Sequence, residues 1–314
     1  VSEFVDIWIV GLGLATLTFA TPLIFAALGG LFSERSGIVN IALEGMMTAG
    51  AFFAIYLSVQ SGSWVVGLLG GMAAGMAFAA LHALATVTFQ AEQIVSGTAI
   101  ILIAAGLVNF LNLTLFGPQG SPAEISKPPR LGELPVLGPI LDPIPLIGEM
   151  YLLTVFAFLA VAATGFVIFR TPFGLRLRSV GEHPRAADTV GINVYRMRYT
   201  AVIISGALAG IGGAFISFNV SSYTENMVAG NGFIALAALI FGKWKPIPVM
   251  LACLLFGFSQ GLASRLTGVG WLPQALQSPE LLSALPYIIT LVAIAGFVGR
   301  SVPPAAVGKP YVKH

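Results

Sequence analysis

Seven stretches of this 314-residue chain run without a single Asp, Glu, Lys or Arg: 7–33, 63–89, 97–116, 150–169, 199–220, 246–264 and 281–299. A helix rises about 1.5 Å per residue, so roughly 20 residues cross a hydrocarbon core of about 30 Å. Each run is long enough to cross, or nearly so. Unpaired backbone groups are not tolerated in lipid, so spans must be helices or a closed barrel. A barrel would show short strands of alternating polarity; these runs are continuous and read as helices. Two less regular segments join them. Residues 41–58 are apolar apart from Glu44 near their start, and 232–242 are apolar but short, the mark of a broken or re-entrant helix. The expectation is an all-α polytopic membrane protein of about nine, eight to ten, transmembrane or re-entrant helices, forming one transmembrane domain over 1–314.

Composition agrees. Hydrophobic residues make up 57% of the chain and charged residues 9%, against about a quarter charged in soluble domains. The net charge of +2 gives no footprint for nucleic acid. One cysteine, Cys253, excludes an intramolecular disulfide and leaves the redox compartment unread. The first run leads directly into further spans and has no basic stretch before it, so it reads as a membrane helix rather than a cleaved signal.

Charge sets the expected orientation. Residues 170–198 contain Arg170, Arg176, Arg178, Arg185, Arg196 and Arg198 against only Glu182 and Asp188. Basic loops stay cytoplasmic. Residues 117–149 hold eight prolines, four acids and only Lys127 and Arg130; one span away, this loop is expected outside. Arg35, Lys243, Lys245, Arg300, Lys309 and Lys313 then fall inside and Arg265, the exception, outside. The N-terminus is external and the C-terminus cytoplasmic.

The most informative segment is ERSGIVNIALEG at 34–45. Charge at membrane depth is costly and marks function by default. Were 36–45 helical, Ser36, Asn40 and Glu44 would form one polar stripe able to line an aqueous path. The competing reading is a helix-start cap with an interfacial salt bridge involving Glu34 and Arg35. Asn109 and Asn112 share one helix face and are further pathway candidates. They, His82 and Gln260 are otherwise ordinary interhelical hydrogen-bonding residues. In the basic loop, GEHPRAADTVGINV at 181–194 has Pro184 suited to a first helical turn and Gly191 to a helix end. That predicts a two-turn helix, either a solvated connector or a docking element.

Small residues four apart, Gly71 with Gly75 and Gly206 with Gly210, permit close helix packing. The sequence GFSQG at 257–261 matches a nucleophile-elbow pattern, but that motif needs a strand, a turn and a histidine partner; inside an apolar span it reads as packing. There is no phosphate loop and no His/Cys cluster at metal spacing, so the chain is expected to bind no cofactor and to hydrolyse no ATP.

Three segments, GLFSERSGIVNIALEGMMTAGAF (30–52), RTPFGLRLRSVGEHPRAADTVGINVYRMRYTAVIISGALAGIGGAF (170–215) and NGFIALAALIFGKWKP (231–246), resemble the permease subunits of bacterial ABC importers. The resemblance is to the branched-chain amino acid and ribose permease superfamily, and within it to nucleoside permeases that work with lipoproteins of the basic membrane protein type. It covers most of the chain in order and spacing; His183 and Ala42 depart from the Asn and Gly of the pattern.

The resemblance implies a type II-like importer transmembrane domain in the bacterial inner membrane. It implies a related but non-identical second permease subunit, a cytoplasmic ATPase that carries ATP and Mg, and an extracytoplasmic solute-binding lipoprotein. It places the coupling helix at about Pro184–Val190, with Glu182, Pro184, Arg185, Ala186, Ala187 and Asp188 as the residues facing the ATPase. The implied cargo is a nucleoside or related small polar solute, for which Asn side chains and aromatic faces suit better than a charge. Two other functions compete: an ion-coupled secondary transporter, in which Glu44 and the short 232–242 segment would form an ion site, and an intramembrane serine hydrolase using Ser259. The first lacks a visible inverted repeat.

Overall fold

The structure, a computed structural model, describes residues 2–117, 121, 125–135, 138–266 and 301–313, with positions 278, 281, 284, 288, 289 and 292; side chains are described from Trp8 onward. The described residues form α1 (Ser2–Arg35), α2 (Leu43–Ser61), α3 (Trp64–Ala83), α4 (Gln93–Phe116), α5 (Gly138–Leu141), α6 (Pro145–Gly148), α7 (Leu152–Arg170), α8 (Pro172–Glu182), α9 (Pro184–Thr189), α10 (Val194–Val220), α11 (Asn231–Phe241) and α12 (Pro246–Leu266). No named strand occurs among them; a single antiparallel bridge joins Arg130 to Tyr151.

Among the described residues, six helices are long and apolar enough to cross a membrane: α1 from Trp8, α3 continued by a π turn to Thr88, α4, α7, α10 and α12. The other three of the nine expected transmembrane or re-entrant segments are not among these six, for separate reasons. The 281–299 run lies outside the described residues save for isolated positions. Glu44, Gln60 and the serines lower the hydropathy of α2. At about 16 Å, α11 is only half a membrane thickness. Leu69, Leu102, Ile103, Phe110, Leu113, Leu159, Phe166 and Leu251 project from the spans with large exposed areas. Such a belt suits lipid and would be a liability in water.

Helices α1, α2, α3 and α10 pack together as the centre, with α12 against α1, α4 against α2, and α11 against α1 and α12. Helix α2 is the buried one: Leu43, Met46, Met47, Ala49, Ala51, Phe52, Ala54 and Ile55 are inaccessible. Glycine makes this possible. Gly71 and Gly75 of α3 lie against Gly210 and Gly206 of α10; a Cβ on Gly75 would sit 2.9 Å from the Gly210 Cα, and one on Gly71 2.7 Å from the Gly50 carbonyl oxygen. The two four-residue spacings are halves of one contact, the close-approach packing that small residues allow. The GFSQG segment does the same work in α12. Gly257 and Gly261 pack on Thr16, Ala20 and Ala15 of α1, and the Ser259 hydroxyl donates to the Leu255 carbonyl at 2.8 Å in the middle of a helix. No hydrolytic serine is built there.

Helix ends follow side-chain chemistry. Thr171 caps α8 by accepting from the Gly174 amide at 3.2 Å, with Pro172 in the first turn. Asn193 caps α10 through the Arg196 amide at 2.9 Å. Exposed Glu92 accepts from the Ile94 and Val95 amides at 3.0 and 2.7 Å, which holds its carboxyl below the usual range.

The bundle thus has two ends. One carries the arginine-rich α8 and α9, the 36–42 link, the α11–α12 turn and the tail 301–313. The other carries the proline-rich segment, folded into α5, α6 and a 3-10 turn at Leu131–Glu133. This segment is tied to the bundle where Ser126 bonds the Ser58 hydroxyl and the Trp64 amide, and it is braced by an Arg130–Glu149 ion pair.

Candidate functional site

Residues 36–45 do not form the single helix that a polar stripe through Ser36, Asn40 and Glu44 would require. Residues 36–42 are a non-helical link and α2 begins only at Leu43. Gly37 adopts φ 95, a left-handed conformation that ends α1. The serine hydroxyls and the Val39 backbone then each find a separate partner. The Ser36 hydroxyl donates to the Ser33 carbonyl at 2.6 Å, and the Ser33 hydroxyl to that of Ile38 at 2.8 Å. The Val39 amide donates to Gln93 at 2.7 Å. His82 approaches the Val39 carbonyl through Nε2 at 3.2 Å and Ser96 through Nδ1 at 2.9 Å. A carbonyl only accepts, so Nε2 carries a hydrogen, and in the neutral ring Nδ1 then accepts from the serine.

Asn40 and Glu44 point into the bundle. The Asn40 amide donates to the Ser205 hydroxyl of α10 at 2.8 Å, while its Oδ1 is buried with no partner among the described residues. Glu44 is 7% exposed. Its Oε1 accepts from the Gly230 amide at 2.8 Å and its Oε2 from the Gly232 amide at 2.7 Å. These are the first free amides of α11, where aligned peptide dipoles favour negative charge. Glu44 therefore caps α11 across the bundle. Gly230 needs its left-handed φ of 85, and a Cβ on Gly232 would strike the Glu44 backbone at 2.5 Å; both glycines serve this approach.

Between α10 and α11, residues 221–230 run as turns. Aromatics pack around Tyr223 near the start of this segment. Tyr223 meets Phe52 edge-on at 5.4 Å, Phe52 stacks with Tyr56 at 6.2 Å, and Phe116 of α4 contacts both Phe52 and Tyr56 at 6.1 Å. Asn109 and Asn112 are half-buried on α4, and the Asn112 Oδ1 is buried without a partner among the described residues. The five pathway candidates thus divide: Asn40 is bonded to α10 and Glu44 to the start of α11, Ser36 is bonded within the turn that ends α1, and Asn109 and Asn112 lie on α4.

The far end of α11 is also anchored. The Trp244 indole donates to Glu34 at 2.5 Å, and Arg35 donates twice to the Trp244 carbonyl, at 3.1 and 2.6 Å. Glu34 and Arg35 thus both hold the Gly242–Lys245 turn, in place of the expected salt bridge at a helix start. Sequence patterning did not single out Gly230, Gly232, Ser205 or Trp244 as partners. The glycine pair before a short apolar helix is the one signal that could have pointed to them.

In the basic loop, α9 spans Pro184–Thr189, one residue short of the expected Val190. Glu182, Arg185 and Ala186 are exposed, Pro184 and Asp188 half-buried and Ala187 buried. A cleft of about 710 Å³ lies between α9 and the tail, bordered by Glu182, Arg185, Ala186, Lys309 and Tyr311 among others.

A broken helix capped from a neighbouring helix, inside an apolar bundle, is transporter architecture. Comparison with known proteins decides which kind. Residues 13–294 match the family described as branched-chain amino acid transport system / permease component. The chain belongs to this permease family. It is 44% identical to the guanosine ABC transporter permease protein NupQ of Bacillus subtilis and 42% identical to the nucleoside ABC transporter permease protein NupC of Lactococcus lactis, in each case over 95% of both chains. It is also 26% identical to a second Bacillus subtilis protein, the guanosine ABC transporter permease protein NupP, over 82% of this chain and 74% of that one. No solved structure matches. The permease is thus a multi-pass transport subunit rather than an enzyme, and its relatives include pairs of distinct permease chains in one organism.

Proposed function

We propose that this permease forms one half of the translocation path of an ATP-driven nucleoside importer, paired with a related, non-identical permease chain. The observation that carries this is the 44% identity to a guanosine permease across 95% of both chains. The existence of distinct NupQ and NupP chains in one organism supports the heterologous pair. A cytoplasmic ATPase supplies ATP and Mg, and an extracytoplasmic lipoprotein delivers the solute. The bundle is of type II-like importer form in the bacterial cytoplasmic membrane, with the arginine-rich end inside and the N-terminus outside, as the charge asymmetry supports.

In this reading α9 is the coupling helix: Arg185 and Ala186 face the ATPase from the exposed side while Ala187 packs inward. ATP binding favours one arrangement of the permease pair over the other by differential binding energy. The solute passes the 221–230 segment and the start of α11. Its flat base suits the aromatic faces of Tyr56, Phe116 and Tyr223, and the unpaired amide oxygens of Asn40 and Asn112 offer acceptors to a polar edge. Glu44 keeps α11 in register rather than meeting the solute.

Affinity-tagged permease, purified in mild detergent from cells expressing its genomic neighbours, tests the assembly. A second permease chain and an ATPase should co-purify. Ala186→Arg should remove the ATPase while leaving the permease pair. Recovery of the tagged chain alone, at native expression, contradicts the proposal.

A further inference from the structure

The tail 301–313 does more than close the basic end. The Ala306 amide donates to the Gly181 carbonyl at 2.8 Å, at the end of α8, and the Gly308 amide to the Gly37 carbonyl at 3.1 Å, in the 36–42 link. The Ala305 amide donates to Glu182 at 3.1 Å. Tyr311 packs with Val180, Ala187 and Val194 in a small core of their own and meets Tyr195 edge-on at 5.7 Å. Lys313 lies 3.8 Å from Asp188. Three elements therefore meet on this strap: the α8–α9 loop, the start of α10 and the link that leads to Asn40 and Glu44.

Arg198 of α10 sits where they meet, and it is 1% exposed. Its Nε donates to the Ser36 carbonyl and one terminal nitrogen to the Lys309 carbonyl, both at a long 3.3 Å. The other terminal nitrogen is buried with no partner, and no carboxylate pairs with it among the described residues. A buried guanidinium held by two stretched bonds to carbonyls, with donors to spare, is a costly arrangement. It is poorly matched to this one conformation and equipped to take other carbonyls in another.

We infer that Arg198 is a positioning residue for transport. With the tail as a strap, it forms the joint through which displacement of α9 reaches the 36–42 link and so Asn40, Glu44 and α11. This rests on the reading of α9 as the ATPase contact. The link is a suitable relay because its far end is fixed on both sides. Asn40 is tied to α10 at Ser205, and Glu44, two residues beyond the link, holds Gly230 and Gly232. A shift of Gly37 relative to α10 therefore loads the Asn40–Ser205 bond and, through it, the start of α2 and the capped end of α11. Transmission through this joint and simple bracing differ in the transport obtained per ATP.

The importer with both permeases, ATPase and lipoprotein, reconstituted in liposomes, carries Arg198→Gln, Arg198→Lys or Tyr311→Ala in this chain. The readouts are ATPase content and guanosine moved per ATP hydrolysed. Arg198→Gln should keep the ATPase and continue to hydrolyse ATP, with guanosine per ATP falling at least tenfold. Arg198→Lys, able to reach one carbonyl, should recover most of that loss, and Tyr311→Ala should fall in the same direction as Arg198→Gln. If uptake and hydrolysis decline together at a constant ratio, Arg198 is a static brace and the inference fails. If Arg198→Gln does not fold, the ratio in Tyr311→Ala decides alone. Ala186→Arg in the same assay separates the two claims: retained ATPase and full turnover overturn the reading of α9, whereas loss of the ATPase with an unchanged ratio in Arg198→Gln overturns only the joint.

Discussion

Glu44 and Gly232 lie far apart in sequence and are joined in the fold by a 2.7 Å hydrogen bond from the glycine amide to the carboxylate, with the Gly230 amide on the other oxygen. A helix that starts inside an apolar bundle must satisfy its first amides from somewhere; here α2 satisfies those of α11.

Removal of that acceptor should therefore loosen α11. Glu44→Ala is expected to cost about 0.5–2 kcal/mol, the usual range for a lost helix cap, and to reduce uptake. Glu44→Gln keeps the shape but leaves one amide facing an NH2 group, so its effect should be smaller in stability and in the same direction for uptake. Thermal unfolding in detergent and uptake in cells check both variants. Wild-type melting and wild-type uptake in Glu44→Ala would show that the cap is dispensable.

The glycine contact between α3 and α10 yields a paired prediction. Gly75→Ala places a Cβ 2.9 Å from the Gly210 Cα, against backbone that cannot yield, and should cost about 1–3 kcal/mol. Gly106→Ala, on α4 with nothing within 4 Å, should be neutral or gain up to ~1 kcal/mol from helix propensity. Detergent melting curves of the two variants should move in opposite directions, or the second not at all.

How much of this was legible beforehand follows from the range of each interaction. The spans were readable because their signal, the absence of charge over 20 residues, is local. Gly71, Gly75, Gly206 and Gly210 were readable as packing residues from four-residue spacing, although not as partners of one another. Glu44 stood out as charge in an apolar run, but its partners come from a distant part of the chain, and no local pattern reports them. The single helix that a stripe through Ser36, Asn40 and Glu44 would require does not form, because Gly37 turns left-handed and because Ser33, Ser205 and the α11 amides take the three side chains separately. Tertiary partners overrode a helical period that the sequence permits. Arg198 was counted as one more loop arginine; only the fold shows that it is buried beneath the tail.

Orientation is tested by accessibility. In a Cys253→Ala background, Lys127→Cys at the proline-rich end and Thr189→Cys at the end of α9 both offer exposed positions. An impermeant thiol reagent should label Lys127→Cys in intact cells and Thr189→Cys only after the membrane is opened. The reverse pattern would invert the topology and remove α9 from contact with any cytoplasmic ATPase.

The central claim, that this permease carries nucleosides at the expense of ATP supplied by another subunit, is tested most directly by transport in proteoliposomes. These would contain the two permeases and the ATPase, with the lipoprotein added outside and ATP and Mg enclosed. Labelled guanosine should accumulate inside only when ATP, the ATPase and the lipoprotein are all present, and a proton or sodium gradient should not replace ATP. Accumulation driven by an ion gradient through this permease without the ATPase, or no guanosine transport where the same vesicles concentrate a hexose, would contradict the account.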